Sequence, residues 1–294
     1  DHYTTYGVTD NTYHVILVTN TDQGYQYNLS GMVDGSWSLG TYDVNAGLSY
    51  TNSQSKDINS LTSSQARSNW KYNPVGMHTN EPNLTSSNYE VPHRIVGSLG
   101  ATFNFVESSS TTFSFFYEGQ SGRPFSYKGE EGDIDYNGDG DARNDLIFVF
   151  NDASKVNMVD SEGNNAWDAW TAFVNQDDAL KEYKGKIIDR NAGRQPWRNR
   201  LDLRITQKVF DRVELTFDIL NFANLLSSDA GKQEYVRYGT VDLLEFTGFA
   251  DENDVSSKPT FEFDTEKYTK TEDVYSVDDF GSRWQMLLGL RINI

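Results

Sequence analysis

The chain has 294 residues, of which 43 are acidic and 25 are basic, so its formal net charge at pH 7 is −18. This length suits one large domain or a piece of a larger protein. The acidic balance argues against nucleic acid as a partner, because phosphate backbones are bound by clustered Lys and Arg side chains. With no cysteine, the chain has neither disulfides nor thiolate metal ligands.

No transmembrane helix is predicted. The longest uninterrupted apolar runs, 15–18 and 146–150, are far shorter than the roughly 20 residues that such a helix needs. Residues 1–3 lack the basic and apolar regions of a secretory signal, which leaves the location of the protein undecided at this point.

A two-residue alternation of apolar and polar side chains predicts long β-strands joined in hairpins. In 25–34, Tyr25, Leu29 and Val33 alternate with mostly polar residues, as in a strand whose two faces meet different environments. The pattern recurs along the chain. The predicted long strands are seven in number and lie near 23–36, 40–53, 93–107, 110–122, 198–208, 212–223 and 284–294.

Such strands fit either a soluble antiparallel sheet or an outer-membrane β-barrel. Strand lengths of about 9–11 residues, aromatic residues near strand ends, and alternating short and long connections favour the barrel. The short connections lie near 35–40, 107–110 and 209–212, and the long ones near 52–93, 121–197 and 223–283. We therefore predict an all-β fold, a transmembrane antiparallel β-barrel with long extracellular loops and a periplasmic C-terminus.

The predicted strand count is odd. Single-chain bacterial barrels have an even number of strands and need at least eight to close, because open edges in lipid leave backbone groups unpaired. We therefore expect 1–294 to be the C-terminal part of a larger barrel.

Several segments resemble the C-terminal portion of TonB-dependent outer-membrane receptors, in the Oar-like and SusC-like branch. The resemblance lies in residues 70–75, 83–94, 119–127, 139–147, 191–197 and 218–222. The chain end also resembles the outer-membrane assembly signal, with Gly289 followed by apolar Leu290, Ile292 and Ile294. It departs from that signal by ending in Ile instead of Phe.

The resemblance implies a 22-stranded barrel around an N-terminal plug, of which this chain supplies the last seven strands. The location it implies is the outer membrane of a Gram-negative bacterium. The partners it implies are the rest of the barrel and its plug, TonB through the missing N-terminal part, membrane lipid and lipopolysaccharide, and a surface lipoprotein or other subunits of an outer-membrane complex.

The function that the resemblance implies is the import of a bulky nutrient, which is a peptide, a glycan or a metal chelate. One alternative is an Oar-like barrel that serves as a structural subunit of a protein export or assembly complex. A second alternative is a soluble calcium-binding β-sandwich adhesin.

An acidic segment has the pattern of a calcium-binding loop. Its candidate ligands are Asp133, Asp135, Asn137, Asp139, Asp141 and Asp145. Oxygen ligands at alternate positions, with glycines that permit a sharp turn, suit a hard cation. The twelfth position counted from Asp135 is Leu146 instead of Glu, so Asp145 is the candidate closing ligand. The alternative is a solvated acidic loop with Gly-favoured turns; no organic cofactor is expected.

Two further groups are candidates for binding. Trp167, Trp170 and Phe173 have helical spacing, and we favour a role in packing the long loop over contact with a peptide or sugar. Arg200, Asp202, Arg204, Glu214 and Asp218 are candidate lumen charges on the polar strand faces, and Arg200 and Arg204 belong to a basic cluster that also contains Arg190, Arg194 and Arg198. We favour pairing of these charges with wall or plug residues over steering of an anionic substrate.

No catalytic residues are predicted. The four histidines show no HExxH spacing, and the chain contains no G-x-S-x-G, P-loop or G-x-G-x-x-G motif. Segment 251–283 is rich in Asp, Glu, Thr and Lys, which predicts an exposed hairpin or a mobile loop.

Overall fold

The computed structural model describes residues 18–106, 108–130, 135–210, 212–251 and 253–292. Its strands are β1 Tyr25–Leu39, β2 Tyr42–Asp57, β3 Thr85–Ser86, β4 His93–Val106, β5 Ser109–Gln120, β6 Pro124–Gly129, β7 Asn157–Val159, β8 Gly193–Arg194, β9 Arg198–Val209, β10 Val213–Leu220, β11 Glu234–Tyr235, β12 Thr240–Phe249, β13 Pro259–Glu262, β14 Ser276–Val277 and β15 Gln285–Ile292.

The helices are short. The α-helices are α1 Ala66–Lys71, α2 Trp167–Gln176, α3 Phe222–Leu226 and α4 Asp279–Ser282. Single 3-10 turns occur at Leu180–Tyr183, Arg237–Gly239 and Thr271–Val274. Within the described ranges, none of the helices has the length and hydropathy required to span a bilayer.

The seven long strands form one antiparallel sheet in the order β1-β2-β4-β5-β9-β10-β15, and β3 pairs with the end of β2. This confirms the all-β class and the antiparallel pairing of the predicted strands. β1 and β15 are the two edges of the sheet, so the described strands form an open sheet and not a closed barrel.

The strand register places the apolar side chains of neighbouring strands on one face. One row across the sheet runs through Leu99, Phe115, Leu203, Ile219 and Met286. The next row runs through Ala101, Phe113, Ile205, Phe217 and Leu288. We call these two rows the apolar belt. A single register slip in any strand would move its apolar side chains to the other face, so the pairing and the alternation support one another.

The opposite face carries polar rows. Thr102, Thr112, Thr206 and Thr216 are cross-strand neighbours on successive strands. The hydroxyls of Thr102 and Thr112 lie 2.9 Å apart and share a hydrogen bond. We call this side of the sheet the polar face.

The apolar belt is partly uncovered. Leu99 is 48% exposed and Leu288 is 81% exposed, whereas Leu203 and Ile219 are buried in the region where α3 packs on β9. A soluble protein rarely exposes a continuous apolar surface of this kind.

The main hydrophobic core belongs to the long connections and not to the long sheet. We call the described residues of 121–197 and 223–283 the loop domain. Its five-stranded mixed sheet has the order β7-β13-β12-β6-β8, with β12 parallel to β6 and β13 parallel to β7. Its fully buried side chains include Phe125, Tyr127, Trp170, Phe173 and Phe263.

Segment 251–283 differs from the prediction of an exposed hairpin or mobile loop. β12 and β13 do pair as an antiparallel hairpin, but Phe263 and Tyr268 are 0% and 6% exposed in the core. The rings of Phe263 and Phe173 lie 5.4 Å apart. Burial of these few aromatic residues holds an otherwise charged segment against the loop domain.

Two ion pairs connect the loop domain to the end of β2 and to the connection between β2 and β4. Arg190 lies 2.6 Å from Asp57, and its side chain is 3% exposed. Arg194 lies 2.5 Å from Glu90, whose side chain is 4% exposed. These contacts fix the loop domain at the end of the long sheet.

Candidate functional site

The acidic loop, residues 135–145, is shaped by aspartate side chains that fold back onto backbone amides. The carboxylate of Asp135 accepts hydrogen bonds of 2.6 Å from the N–H groups of both Gly138 and Gly140. Both glycines have positive φ angles, 75° and 96°, which L side chains rarely adopt. The side-chain oxygen of Asn137 accepts from the N–H of Asp139 at 2.9 Å.

The end of the acidic loop is anchored and buried. The N–H of Val75 donates to the carbonyl of Asn144 at 2.8 Å, and the N–H of Gly129 donates to the carbonyl of Asp145 at 3.0 Å. Asp139 and Asp145 are 3% and 2% exposed, and Asn144 is fully buried. Two separate chain segments therefore hold these polar residues in place.

Two buried oxygens in the loop lack a partner among the described residues. Oδ2 of Asp145 accepts the N–H of Tyr136 at 2.9 Å, but Oδ1 of Asp145 has no hydrogen-bond donor. The side-chain oxygen of Asn144 also lacks a donor. Burial of such groups without a partner is costly.

The surroundings of the loop disfavour the ionised form of two of its carboxyl groups, those of Asp139 and Asp145. The pKa of Asp145 is raised to about 7, mainly by burial and in part by the neighbouring charges of Asp135 and Asp139, while the backbone N–H groups of Tyr136 and Asn137 act to lower it. Burial likewise raises the pKa of Asp139, while a hydrogen bond from Asn144 lowers it. The loop is therefore a place where a positive charge is favourable.

Asp141 has a different environment from the other candidate ligands. Its carboxylate lies 2.9 Å from Nζ of Lys71 and 2.9 Å from Nε of Arg143. The guanidinium group of Arg143 also lies 4.8 Å from the ring centre of Tyr72. Because two cations already neutralise its side chain, Asp141 stabilises the loop and is not placed as a side-chain ligand.

Asp133 lies outside the described residues. Across 135–145 and the other described segments, no three His, Cys, Asp or Glu side chains converge in a metal-ligand arrangement. The structure therefore brings Asp135, Asn137, Asp139 and Asp145 into one loop without assembling them around a point.

An aromatic cavity of about 520 Å³ lies beside the acidic loop. Its apolar lining includes Tyr136, Leu146, Phe148, Phe150, Phe246, Phe249 and Phe261, and Asp135 and Asn137 provide polar atoms at one side. The rings of Phe150 and Phe261 lie 5.1 Å apart. An apolar concavity with a few polar groups is the usual form of a small-molecule or side-chain pocket.

Tyr136 links the cavity to β12. Its hydroxyl accepts a hydrogen bond of 3.0 Å from the N–H of Phe246 and donates one of 3.4 Å to the carbonyl of Leu244. The sequence offered a weak signal for this cavity, because its aromatic residues come from three separate segments that local periodicity does not connect.

No family model, curated protein or solved structure matches this chain. The functional argument therefore depends on the geometry of the protein itself.

The aromatic residues of α2 are placed for packing. Trp170 and Phe173 are 0% and 2% exposed, and Trp167 is half-buried. Nε1 of Trp170 donates a hydrogen bond of 2.9 Å to the carbonyl of Phe150, and its ring lies 5.6 Å from that of Phe263. This burial agrees with the packing interpretation and leaves no free ring face on Trp170 or Phe173 for a ligand.

The candidate charges of the polar face pair with one another. Arg204 binds both carboxylate oxygens of Asp218, and Arg200 lies 2.9 Å from Asp202. Glu214 is the cross-strand neighbour of Lys208 and of Arg291. These charged side chains therefore have oppositely charged neighbours within the long sheet.

A second cavity, of about 330 Å³, lies at the loop-domain end of the polar face. Its charged lining residues are Glu118, Arg198, Arg200 and Arg283. Arg198 donates a hydrogen bond to the side chain of Gln233, which joins β9 to the loop domain.

The candidate assembly residues lie on the edge strand β15. Leu290 and Ile292 are 62% and 60% exposed on the apolar side, and Ile294 lies outside the described residues. Gly289 faces the other way, where an added Cβ would lie 2.4 Å from Oγ1 of Thr216. A larger residue at 289 would force Thr216 to move.

Proposed function

We propose that this chain is the C-terminal wall section of a TonB-dependent outer-membrane transporter that imports a bulky nutrient, which is a peptide, a glycan or a metal chelate. The observation that carries the proposal is the partly exposed apolar belt on one face of a long antiparallel sheet, opposite a face of paired polar residues. An outer-membrane barrel wall needs this combination, since one face meets lipid and the other meets the lumen.

The exposed belt argues for lipid contact over a soluble sandwich. In a soluble β-sandwich, a second sheet about 10 Å away would cover the apolar face. Here Leu48, Leu99 and Leu288 are 53%, 48% and 81% exposed. The longest strands, β1 and β2, have 15 and 16 residues, more than the roughly 9–11 that a tilted strand needs to cross a membrane.

The polar face supports a lumen or plug-facing role. Its charges occur as pairs, such as Arg204 with Asp218, and its threonines lie in a cross-strand row. Paired charges lower the cost of placing ionised groups beside a plug or in a narrow aqueous channel.

The two open edges of the sheet imply that further strands complete the proposed barrel. β1 and β15 present unpaired backbone groups that lipid cannot satisfy, so the rest of the barrel completes the sheet. The proposed partners are therefore that wall and its plug, TonB through the plug-bearing part, and the lipids of a Gram-negative outer membrane. The proposal assigns the loop domain, which consists of the long connections, to the extracellular side and the end of β15 to the periplasmic side.

The alternative of a structural subunit in an export or assembly complex has one observation in its favour. The loop domain has its own core of buried aromatic residues, including Phe125, Trp170 and Phe263. A rigid surface domain of this kind suits the holding of protein partners or a surface lipoprotein as well as the capture of a nutrient.

Fractionation of native cells tests the membrane assignment. The full-length protein should sediment with outer membranes, resist extraction by high salt or alkaline carbonate, and dissolve in detergent. Recovery in the soluble fraction would contradict the proposal and favour the adhesin. A deletion strain then separates the other two functions. Loss of growth on particular peptides or glycans, reproduced by TonB depletion, supports transport. Loss of surface-protein export with normal growth supports the structural subunit.

A further inference from the structure

The acidic loop contains a feature that solvated acidic loops lack. Asp145 is 2% exposed, and its Oδ1 has no hydrogen-bond partner among the described residues. The fully buried Asn144 has a second orphaned oxygen next to it. In native proteins, buried oxygens without donors are rare and call for a bound water or ion.

The neighbouring carboxylates favour a cation over a water molecule as the partner of the unpaired Asp145 oxygen. Asp135 and Asp139 are the carboxylates whose charges act on Asp145. A water molecule would donate hydrogen bonds but would leave their mutual repulsion in place. A divalent cation would both coordinate the orphaned oxygen and neutralise the carboxylates.

Two basic side chains beside the loop are already engaged. Lys71 and Arg143 both contact the carboxylate of Asp141, at 2.9 Å each. Neither has an ion pair with Asp135 or Asp145 among the described residues.

From the orphaned oxygen and the oxygen ligands around it, we infer that the acidic loop binds one calcium ion through Asp135, Asn137, Asp139 and Asp145. Calcium fits better than magnesium, because it accepts six to eight oxygens in irregular geometry, whereas magnesium demands a near-ideal octahedron. Binding requires the loop to tighten, since the side chains do not converge in the described structure. An affinity in the ~0.1–1 mM range of extracellular calcium modules is expected.

The ion would also order the aromatic cavity. Asp135, Tyr136 and Asn137 form part of both the loop and the cavity lining. Leu146 and Ile147, which follow Asp145 directly, line the same cavity. Calcium therefore fixes one cavity wall, and ligand capture by this cavity becomes dependent on calcium.

Calorimetric titration of the full-length protein with calcium chloride tests the site, followed by hydrogen exchange in calcium and in EGTA. We expect one saturable site per chain and slower exchange of residues 135–147 in calcium. Asp139→Asn and Asp145→Asn should each weaken binding roughly tenfold or more, because each removes a ligand charge.

Asp160→Asn is the matched control. Asp160 also accepts backbone hydrogen bonds in a turn, from Glu162 at 3.0 Å and Asn164 at 2.8 Å, but it is only partly buried and lies outside the acidic loop. This variant should bind calcium within twofold of the unmodified protein. Equal binding by Asp139→Asn, Asp145→Asn and Asp160→Asn would overturn the inference.

Calcium binding and hydrogen exchange of the unmodified protein test the inference independently if an aspartate variant does not fold. The inference is wrong if no saturable binding occurs up to about 10 mM calcium, or if exchange of 135–147 is the same in calcium and EGTA. These results do not depend on transport, because they are measured on the purified protein whether or not it imports a nutrient.

Discussion

The backbone N–H of Tyr136 donates a hydrogen bond of 2.9 Å to Oδ2 of Asp145, and this contact joins the acidic loop to the aromatic cavity. The Tyr136 side chain lines the cavity and reaches β12 through its hydroxyl. A displacement of the Asp145 carboxylate therefore acts on a cavity wall through a single residue.

Tyr136→Phe should loosen β12 next to the cavity. The substitution removes the acceptor of the Phe246 N–H at the point where the pairing of β12 and β13 is irregular. A buried donor left unpaired costs about 1–3 kcal/mol, so the Phe246 amide should exchange roughly ten- to a hundredfold faster. Tyr238→Phe is the control, because Tyr238 is 93% exposed. Unchanged exchange at Phe246 would show that the hydroxyl contact is unimportant.

Asp57→Asn should weaken the docking of the loop domain. Arg190 is buried and donates to the Asp57 carboxylate at 2.6 Å, so the variant leaves a buried cation without its charged partner. The loss should be about 2–3 kcal/mol, below the roughly 3–5 kcal/mol of a fully buried pair, because Asp57 is partly exposed. Protease protection of the loop domain against urea concentration measures this change.

Glu234→Gln is the control for the Asp57 variant. It breaks the surface pair of Lys232 and Glu234, which lie 2.7 Å apart with both side chains in contact with solvent. Surface pairs contribute little, so no measurable change in protection is expected. Equal effects of the two variants would contradict a docking role for Arg190.

The long sheet was predictable because its signal is local. In β9, Leu201, Leu203 and Ile205 alternate with Asp202 and Arg204, so the sequence itself reveals two faces. Hairpin partners also follow one another closely in the chain. The three hairpins, β1 with β2, β4 with β5 and β9 with β10, could therefore be predicted from local pattern alone. The pairings of β2 with β4, β5 with β9 and β10 with β15 join strands that are far apart in the chain.

The loop domain was not predictable in the same way. β6 is buried at all six positions and shows no alternation, and its parallel partner β12 begins more than 100 residues later. Phe263 lies in a segment whose charges indicate exposure, yet it is fully buried. Such long-range pairings leave no periodic pattern in the sequence. The aromatic cavity is formed by residues from separate segments and is therefore not predictable from local sequence, whereas the acidic loop is one continuous segment with a recognisable pattern.

Trp170→Ala should destabilise the loop domain by about 3–5 kcal/mol, as expected for truncating a fully buried aromatic side chain. It also leaves the carbonyl of Phe150 without the indole donor. Limited proteolysis on intact cells should show rapid cleavage within 121–197. Trp167→Ala, at a half-buried position of the same helix, should cause a smaller increase. Equal resistance of the Trp170 variant and the unmodified protein would contradict the packing role.

Leu288→Arg and Leu287→Arg place the same charge at two adjacent positions of β15 whose side chains lie on opposite faces of the sheet. Leu288 is the cross-strand neighbour of Phe217 in the apolar belt, whereas Leu287 is the neighbour of Asp218 on the polar face. If the belt meets lipid, Arg at 288 should cost about 2–4 kcal/mol near the bilayer midplane. Arg at 287 should be tolerated better, because this position lies on the polar face, beside the Arg204–Asp218 pair and away from lipid. The measurement is the amount of folded, heat-modifiable protein in purified outer membranes. A large loss for Leu288→Arg alone supports lipid contact, and equal losses for both variants would contradict the assignment of the faces.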